Sequence, residues 1–396
     1  MKKTFVFGAV LLIVFFILNF LNSNTSTFNK IKNVLPTTFQ PKNDGANKDT
    51  FAYYTNALGL TVPVGYSMSV YADLKMLGSP RVLAFDKNGD LYATLTKEGK
   101  VVYLPDSDSD SIADKTSVVL NGLVNPHGMI FDNKAMYLAE TNQVVRYSFD
   151  TQNDVFKLDQ RLFELPTDGG HFTRTLKLID DKLYTVVGSS CNVCNEKSQL
   201  RAAMLVSDIT GENLEVFAKG LRNSVFFTEN SDGTIWATEN GRDLMGDNLP
   251  PDEINIIQKG GNYGWPYCFG QQIRDNTFGN LEDLYCQSTQ KAKFDLPAHV
   301  APLGLAFIPS IFSTSFSGDL LVAFHGSWNS TTKVGYKIVK LSINNGEVTK
   351  MEDFITGFMK DDNVLGRPVD LLFKDNGSLL VSDDYAKVIY IVTKDD

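Results

Sequence analysis

The sequence is poor in histidine and cysteine, with four of each among 396 residues. It is almost devoid of helical periodicity and has no excess of positive charge: 37 lysines and arginines stand against 46 aspartates and glutamates, a net charge of −9. Each shortage excludes something. A chain this acidic repels a phosphate backbone, which argues against nucleic acid as a partner. The missing three- and four-residue spacing of apolar positions points to an all-β chain. Cys191 and Cys194 form a C-N-V-C pair, but no histidine follows, so covalent haem attachment is excluded. Zinc would require that pair to converge with Cys268 and Cys286, which stand 18 residues apart. Two disulfides, 191–194 and 268–286, are the simpler expectation in an oxidising compartment.

The N-terminus points to that compartment. Lys2 and Lys3 precede an apolar run from Phe5 to Leu18, followed by Asn19, Phe20 and Leu21. A charged start and an apolar stretch of this length read as an export signal or an uncleaved membrane anchor over residues 1–21. "LNSNTST" is a weak cleavage site, so cleavage and anchoring through residues 5–21 both stay open. Residues 22–50, rich in Asn, Thr and Lys, read as a flexible spacer, which leaves 51–396 as the folded domain. The expected localisation is extracytoplasmic, periplasmic or secreted.

Six segments repeat one pattern: an apolar run, a turn of Asp, Asn and Gly, and a second apolar run. They are "RVLAFDKNGDLYATL" (81–95), "HGMIFDNKAMYLAET" (127–141), "RTLKLIDDKLYTVVG" (174–188), "RNSVFFTENSDGTIWATE" (222–239), "LGLAFIPSIFSTSFSGDLLVAF" (303–324) and "RPVDLLFKDNGSLLVSD" (367–383). Each reads as a hairpin. Six such units about 45–80 residues apart predict a six-bladed β-propeller. A β-sandwich is the competing all-β fold, but it does not explain six copies of one unit. "VPVGYSMSVYADL" (62–74) precedes the first repeat and is a candidate for the outer strand closing the ring.

In a propeller the innermost strands begin at one mouth of the channel. The residues at those starts are Arg81, His127, His171 with Arg174, Arg222 with Asn223, His299, and Arg367; His325 follows in "VAFHGSWN". A cluster of cationic donors around one axis predicts an anionic ligand with several acceptors.

"GGHFTRTLKL", "GLRNSVFF", "WATENGRDLMGDNLPPDEINIIQKGGNYGWPYC", "PAHVAPLGLAF", "HGSWN" and "GRPVDLL" resemble the soluble sugar dehydrogenases dependent on pyrroloquinoline quinone (PQQ), nearest their sorbosone dehydrogenase branch. The resemblance spans about Pro63 to Thr393 and is most specific over 220–266. It implies six blades, with the tricarboxylated quinone over the channel mouth. It implies that His171 is the general base and that Arg222 and Asn223 contact the quinone oxygens, the arginine steadying developing charge. Asn240 matches an amide beside the cofactor, and the carbonyls of Gly241 and Arg242 match ligands of a catalytic Ca²⁺. Arg367 matches a carboxylate-binding arginine. His299 stands where the glucose branch has threonine, and Lys337 is the candidate for the family's cofactor lysine.

Two further segments invite calcium. Glu253, with a carbonyl near Tyr263, matches a structural site of relatives; a strand-end acid capping a turn is the alternative. "DSDSDSIAD" places Asp106, Asp108, Asp110 and Asp114 at positions 1, 3, 5 and 9 of an EF-hand-like loop, without the glycine or closing glutamate. Trp265 and Trp328 are candidates for the sugar pocket or for plugs between blades. The expected function is oxidation of an aldose or related sugar aldehyde, with electrons passing to a separate cytochrome or quinone. A calcium-dependent propeller lactonase or other hydrolase and a non-catalytic carbohydrate-binding propeller are the alternatives. The basic axis counts against a carboxylate-bound hydrolytic metal.

Overall fold

In a computed structural model of the chain, residues 53–395 are described except 151, 153–154 and 280–283. The expected leader (1–21) and spacer (22–50) lie outside the described residues. The first repeat shows why the hairpins form. Strands Pro80–Phe85 and Leu91–Leu95 are joined at Asp86, whose Oδ1 accepts the backbone N–H of Asn88 at 2.8 Å and of Asp90 at 3.0 Å. A short carboxylate that satisfies the turn's own donors makes the reversal local. Asp132 and Asp232 do the same in the second and fourth repeats, and Asn376 does so in the last.

Each hairpin grows outward into a four-stranded antiparallel sheet, and six such sheets are present. Their innermost strands are Pro80–Phe85, Met129–Phe131, Leu176–Ile179, Phe227–Glu229, Pro302–Phe307 and Pro368–Phe373. We number the blades one to six in that order. The second strands of blades one, four, five and six are buried at every position, for instance Leu91–Leu95 and Ile235–Glu239. Strands covered on both faces lose the polar alternation of a half-exposed sheet. The last strand of blade two, Val155–Glu164, is by contrast mostly exposed.

The ring closes as the sequence predicts. Tyr66–Asp73, which precedes blade one, pairs antiparallel with Val388–Lys394 in register Met68↔Val392 and Ser69↔Ile391, completing blade six. Apolar clusters fill the gaps between blades; in one of them Trp236 meets Phe307 edge-on at 5.7 Å. Each fully buried side chain of this size contributes about 1.5–3 kcal/mol before entropy is counted.

Near the axis the blades are clasped by hydroxyls. Thr94 Oγ1 accepts Val82 N–H in its own blade and donates to His127 O in the next. Thr238 donates to Leu303 O, and Ser382 carries blade six back to Arg81 O at 2.6 Å. These bonds sit where the innermost strands bulge, so the clasp satisfies backbone groups that the ladder leaves open. Gly128 makes the close approach possible: a Cβ there would lie 2.4 Å from both Arg174 O and Leu176 N of blade three.

Candidate active site

The strand starts converge on a pocket of about 420 Å³, lined by Arg81, His171, Arg222, Asn223, Asn240, Gly241, His299, His325 and Arg367 among others. Seven residues expected at the site from sequence are thus brought together: His171, Arg222, Asn223, Asn240, Gly241, His299 and Arg367. Two members of the expected mouth are not. His127 and Arg174 are wholly buried beneath it, and Arg174 is held by the carbonyls of His171, Thr173 and Pro166. They belong to the wall rather than the lumen.

His171 is fixed through one ring nitrogen. Its Nδ1 lies 3.0 Å from Ser189 O, and because a carbonyl only accepts, Nδ1 carries the hydrogen. Nε2 then bears a lone pair with no protein partner among the described residues. Burial, reinforced by the Arg222 guanidinium, pushes its pKa down to about 3, so the ring is neutral at physiological pH. Gly188 lets it sit against Asn223: a Cβ there would lie 2.7 Å from both Asn223 Oδ1 and His171 Cβ.

Arg222 is enclosed by protein oxygens. Nε donates to Asn192 O, Nη1 to Asn240 O and Gly241 O, and Nη2 to Asn192 Oδ1 and Asp243 Oδ2, at 2.8–3.1 Å. All five guanidinium N–H groups are therefore spent inside the protein. The anion that the sequence leads one to seek for Arg222 is, in this structure, the Asp243 carboxylate. Asn223 is the freer member of the pair: its N–H goes to Glu239 Oε1, and its side-chain amide makes no hydrogen bond among the described residues.

Across the pocket the pattern reverses. Arg81 Nη1 bonds Asp384 at 2.6 Å, and the same carboxylate accepts His325 Nε2 at 2.9 Å. Arg81 Nε is buried with no hydrogen-bond partner among the described residues. Arg367 places Nε and Nη2 on the carbonyls of His325, Gly326 and Ser327, stacks over Tyr336 at 5.3 Å, and leaves Nη1 without a bond among the described residues. His299, in left-handed backbone at φ 65°, donates from Nε2 to Gly246 O at 2.7 Å.

Eight expected site residues lie outside the pocket lining; six of them, Glu253, Tyr263 and the four aspartates of the acidic loop, are expected at calcium sites of their own, and Arg242 is expected to act through its carbonyl. Lys337 heads the third strand of blade five and pairs with Asp353 at 2.6 Å, away from the pocket, because the strand register sends it to its outer neighbour. Arg242 points its side chain to Asp275 at 2.5 Å. Glu253 is buried within blade four, bonded by Gly270 N–H and Asn255 Nδ2. Tyr263 bonds Ile256 O and Gln258 N–H through its hydroxyl, and no hydrogen bond joins it to Glu253. In the acidic loop the carboxylates of Asp106, Asp108 and Asp110 gather within 4.8 Å of one another. Asp114 turns aside to cap Ser107 N–H, and Lys374 pairs with Asp106 at 2.9 Å.

Sequence reading missed Asp243 and Asp252, which line the pocket wall. Asp252 Oδ1 holds Gly241 N–H, its Oδ2 holds Ala301 N–H, and burial raises its pKa to about 7. Both follow strand Ile235–Glu239 in "ENGRDLMGDNLPPD", where the turn signals promised a loop but not its direction. The expectation of a purely basic axis is thereby corrected. Trp328 stands at the pocket rim, 73% exposed, while Trp265 does not line it.

Comparison with known proteins agrees with this architecture. The chain is 29% identical over 357 residues to an uncharacterized protein of Borreliella burgdorferi, covering 84% of this chain and 90% of that one. It is 25% identical over 385 residues to a PQQ-dependent sugar dehydrogenase of Hypocrea jecorina, covering 80% and 85%. The fold matches a calcium structure of a Trichoderma reesei enzyme of carbohydrate-active family AA12 with a TM-score of 0.74, at 23% identity and 88% and 99% coverage. It also matches the holo PQQ domain of a Coprinopsis cinerea pyranose dehydrogenase with a TM-score of 0.71, at 21% identity and again 88% and 99% coverage. The TrAA12-like family model matches residues 60–395, from the strap that closes the ring to the last strand, and the chain belongs to that family.

Proposed function

We propose that this protein is an exported, PQQ- and calcium-dependent oxidoreductase that oxidises an aldose or related sugar aldehyde and passes electrons to a separate acceptor. The single observation that carries the reading is the pairing of a neutral His171, its Nε2 lone pair free, with unspent cationic donors on the facing wall. The fit to a polyanionic quinone rests on that wall. Among the described residues, Arg81 Nε is buried without a partner, and neither Arg367 Nη1 nor the Asn223 side-chain amide makes a hydrogen bond. PQQ, when bound, supplies the two-electron acceptor and calcium the Lewis acid, neither of which the side chains provide.

The chain's own residues do the rest. With the cofactor bound, Arg81 and Arg367 would hold its carboxylates, Asn223 would donate to a carbonyl oxygen, and His171 Nε2 would accept the proton of the substrate hydroxyl. A pKa near 3 makes a weak base, but an anion in the pocket opposes the arginines and raises it. In this reading the carbonyls of Gly241 and Arg242 would hold calcium, Gly241 O with the lone pair that Arg222 Nη1 leaves, and the carboxylates of Asp243 and Asp252 in the pocket wall would offset the charge of Arg222 beside a hard cation. The Asp106–Asp110 cluster is a second calcium candidate, and the Glu253 region a third. Export, through a leader that is cleaved or retained as a tether, is read from residues 1–21 alone.

The test is to load the purified chain with PQQ and Ca²⁺, measure binding by calorimetry, and follow dye reduction with a panel of sugars. Sugar-dependent reduction is expected. Absence of both PQQ binding and reduction would sink the reading.

A further inference from the structure

The connection between the second and third strands of blade three, Lys182–Val187 and Ala203–Asp208, carries the Cys191–Cys194 disulfide. It touches three parts of the site. Ser189 N–H donates to Arg222 O, and Ser189 O receives His171 Nδ1. Ser189 Oγ donates to Cys191 O at 2.7 Å, tying that contact to the disulfide ring.

Inside the ring, Asn192 spends all its side-chain polar atoms on the pocket wall. Its Oδ1 accepts Arg222 Nη2 at 2.9 Å and Asp243 N–H at 2.8 Å, and its Nδ2 donates to Asp243 O at 3.1 Å. Its backbone oxygen takes Arg222 Nε at 2.9 Å. Asn192 itself does not line the pocket.

We infer that Asn192, locked in place by the Cys191–Cys194 disulfide, is a positioning residue that fixes Arg222 and Asp243 in the pocket wall. Three observations carry this. Two of the five N–H groups of Arg222 end on Asn192 alone. The amide makes a two-point pair with the Asp243 backbone, which no flexible loop would hold in register without a constraint. The disulfide spans a sequence separation of only 3, against 18 for Cys268–Cys286. So short a closure restrains the unfolded chain less than the longer one, so its main effect is local. The clamp's meaning for catalysis rests on the function proposed above; its geometry does not.

The test reads Arg222 directly in the full chain without PQQ. Its Nη–H signals in the nitrogen-15 spectrum, which include the Nη2–H held by Asn192 Oδ1, are identified by their loss in Arg222→Lys, and the exchange of that Nη2–H with solvent is measured. Asn192→Ala and the double variant Cys191→Ser/Cys194→Ser are each expected to speed that exchange at least tenfold, with circular dichroism unchanged. Asn192→Asp keeps an oxygen in the place of Oδ1 to receive Arg222 Nη2–H and Asp243 N–H, and is expected to stay within about threefold of the parent. Unchanged exchange in Asn192→Ala or in the double variant would overturn the inference, as would exchange in Asn192→Asp as fast as in Asn192→Ala. If the double variant does not fold, phosphine reduction of the folded parent replaces it, because Cys268 and Cys286 are only 4% and 5% exposed while the other pair is half-buried. A parent that shows this pattern but never reduces dye with PQQ would sink the proposed function and leave the clamp standing.

Discussion

The two walls of the pocket place the same residue type in opposite circumstances. Arg222, between blades three and four, has every guanidinium N–H bound to a protein oxygen. Arg81 and Arg367, from blades one and six, bond one carboxylate and a few carbonyls and keep donors in hand. The repeat brings an arginine to the mouth in each case; its neighbours decide whether that arginine builds the wall or waits for a ligand. Arg222 is therefore a fixed positive field beside His171, and the opposite wall is the one with hydrogen bonds left to give.

The largest effect should come from the base. In holo enzyme, His171→Ala is expected to lower dye-reduction turnover by about 10²–10⁴-fold while calorimetric PQQ affinity stays within about threefold. Next is the contrast between the walls. Arg222→Ala strands Asp243, three backbone carbonyls and the Asn192 side-chain oxygen, so urea unfolding should show a loss of about 2–3 kcal/mol, discounted from the fully buried case because Asp243 is 22% exposed. Arg222→Lys should recover only part, since an ammonium cannot serve five acceptors. Arg81→Ala should instead act on the ligand, weakening PQQ binding about 10–100-fold, the size of a lost charge-assisted hydrogen bond. Similar stability losses in the two alanine variants would erase the distinction between the walls.

A smaller effect tests the burden that the Arg222 side carries. Glu239, which receives Asn223 N–H and Ser224 Oγ–H, is held at a pKa of about 8 by burial and by Glu253 across the ladder. A carboxyl whose folded pKa lies above its unfolded value keeps its proton longer in the native state. Its stabilising contribution is present at low pH and is lost as pH rises from about 4.5 to about 8. Glu239→Gln should flatten that decline by about 1 kcal/mol per pH unit, read from urea midpoints between pH 5 and 8 at roughly unit steps.

Much of this was legible in the sequence because it repeats. Six hairpins with Asp and Asn turns gave six blades, and the orphan segment 62–74 had only one free edge to fill. Family membership came instead from the resemblance, most specific over 220–266, and both cysteine pairings from the exclusion of haem and the oxidising compartment expected. The site was legible where a residue sits at a fixed phase of the repeat, as His171, Arg222, Asn223 and Arg367 do. It was illegible where direction depends on tertiary neighbours. Lys337 looked like a ligand-binding lysine but meets Asp353 across the sheet. His127 heads its repeat as Arg222 heads its own, yet lies wholly buried against Phe226. Asp243 comes from the long loop after strand Ile235–Glu239 and Asp252 heads the strand that ends it, Asp252–Ile257; the loop has no repeat counterpart, so nothing in the pattern aimed them at the pocket. The 191–194 pair looked like a plain staple, since no spacing rule reveals that Asn192 faces Arg222.

The most direct measurement is calorimetric titration of PQQ, in the presence of Ca²⁺, into the apoprotein and its Arg81→Ala and Arg367→Ala variants. Saturable one-site binding is expected in the parent, weakened at least tenfold in each variant. No binding by the parent, or equal affinity in all three, would contradict the assignment of the facing wall as the one that holds the cofactor.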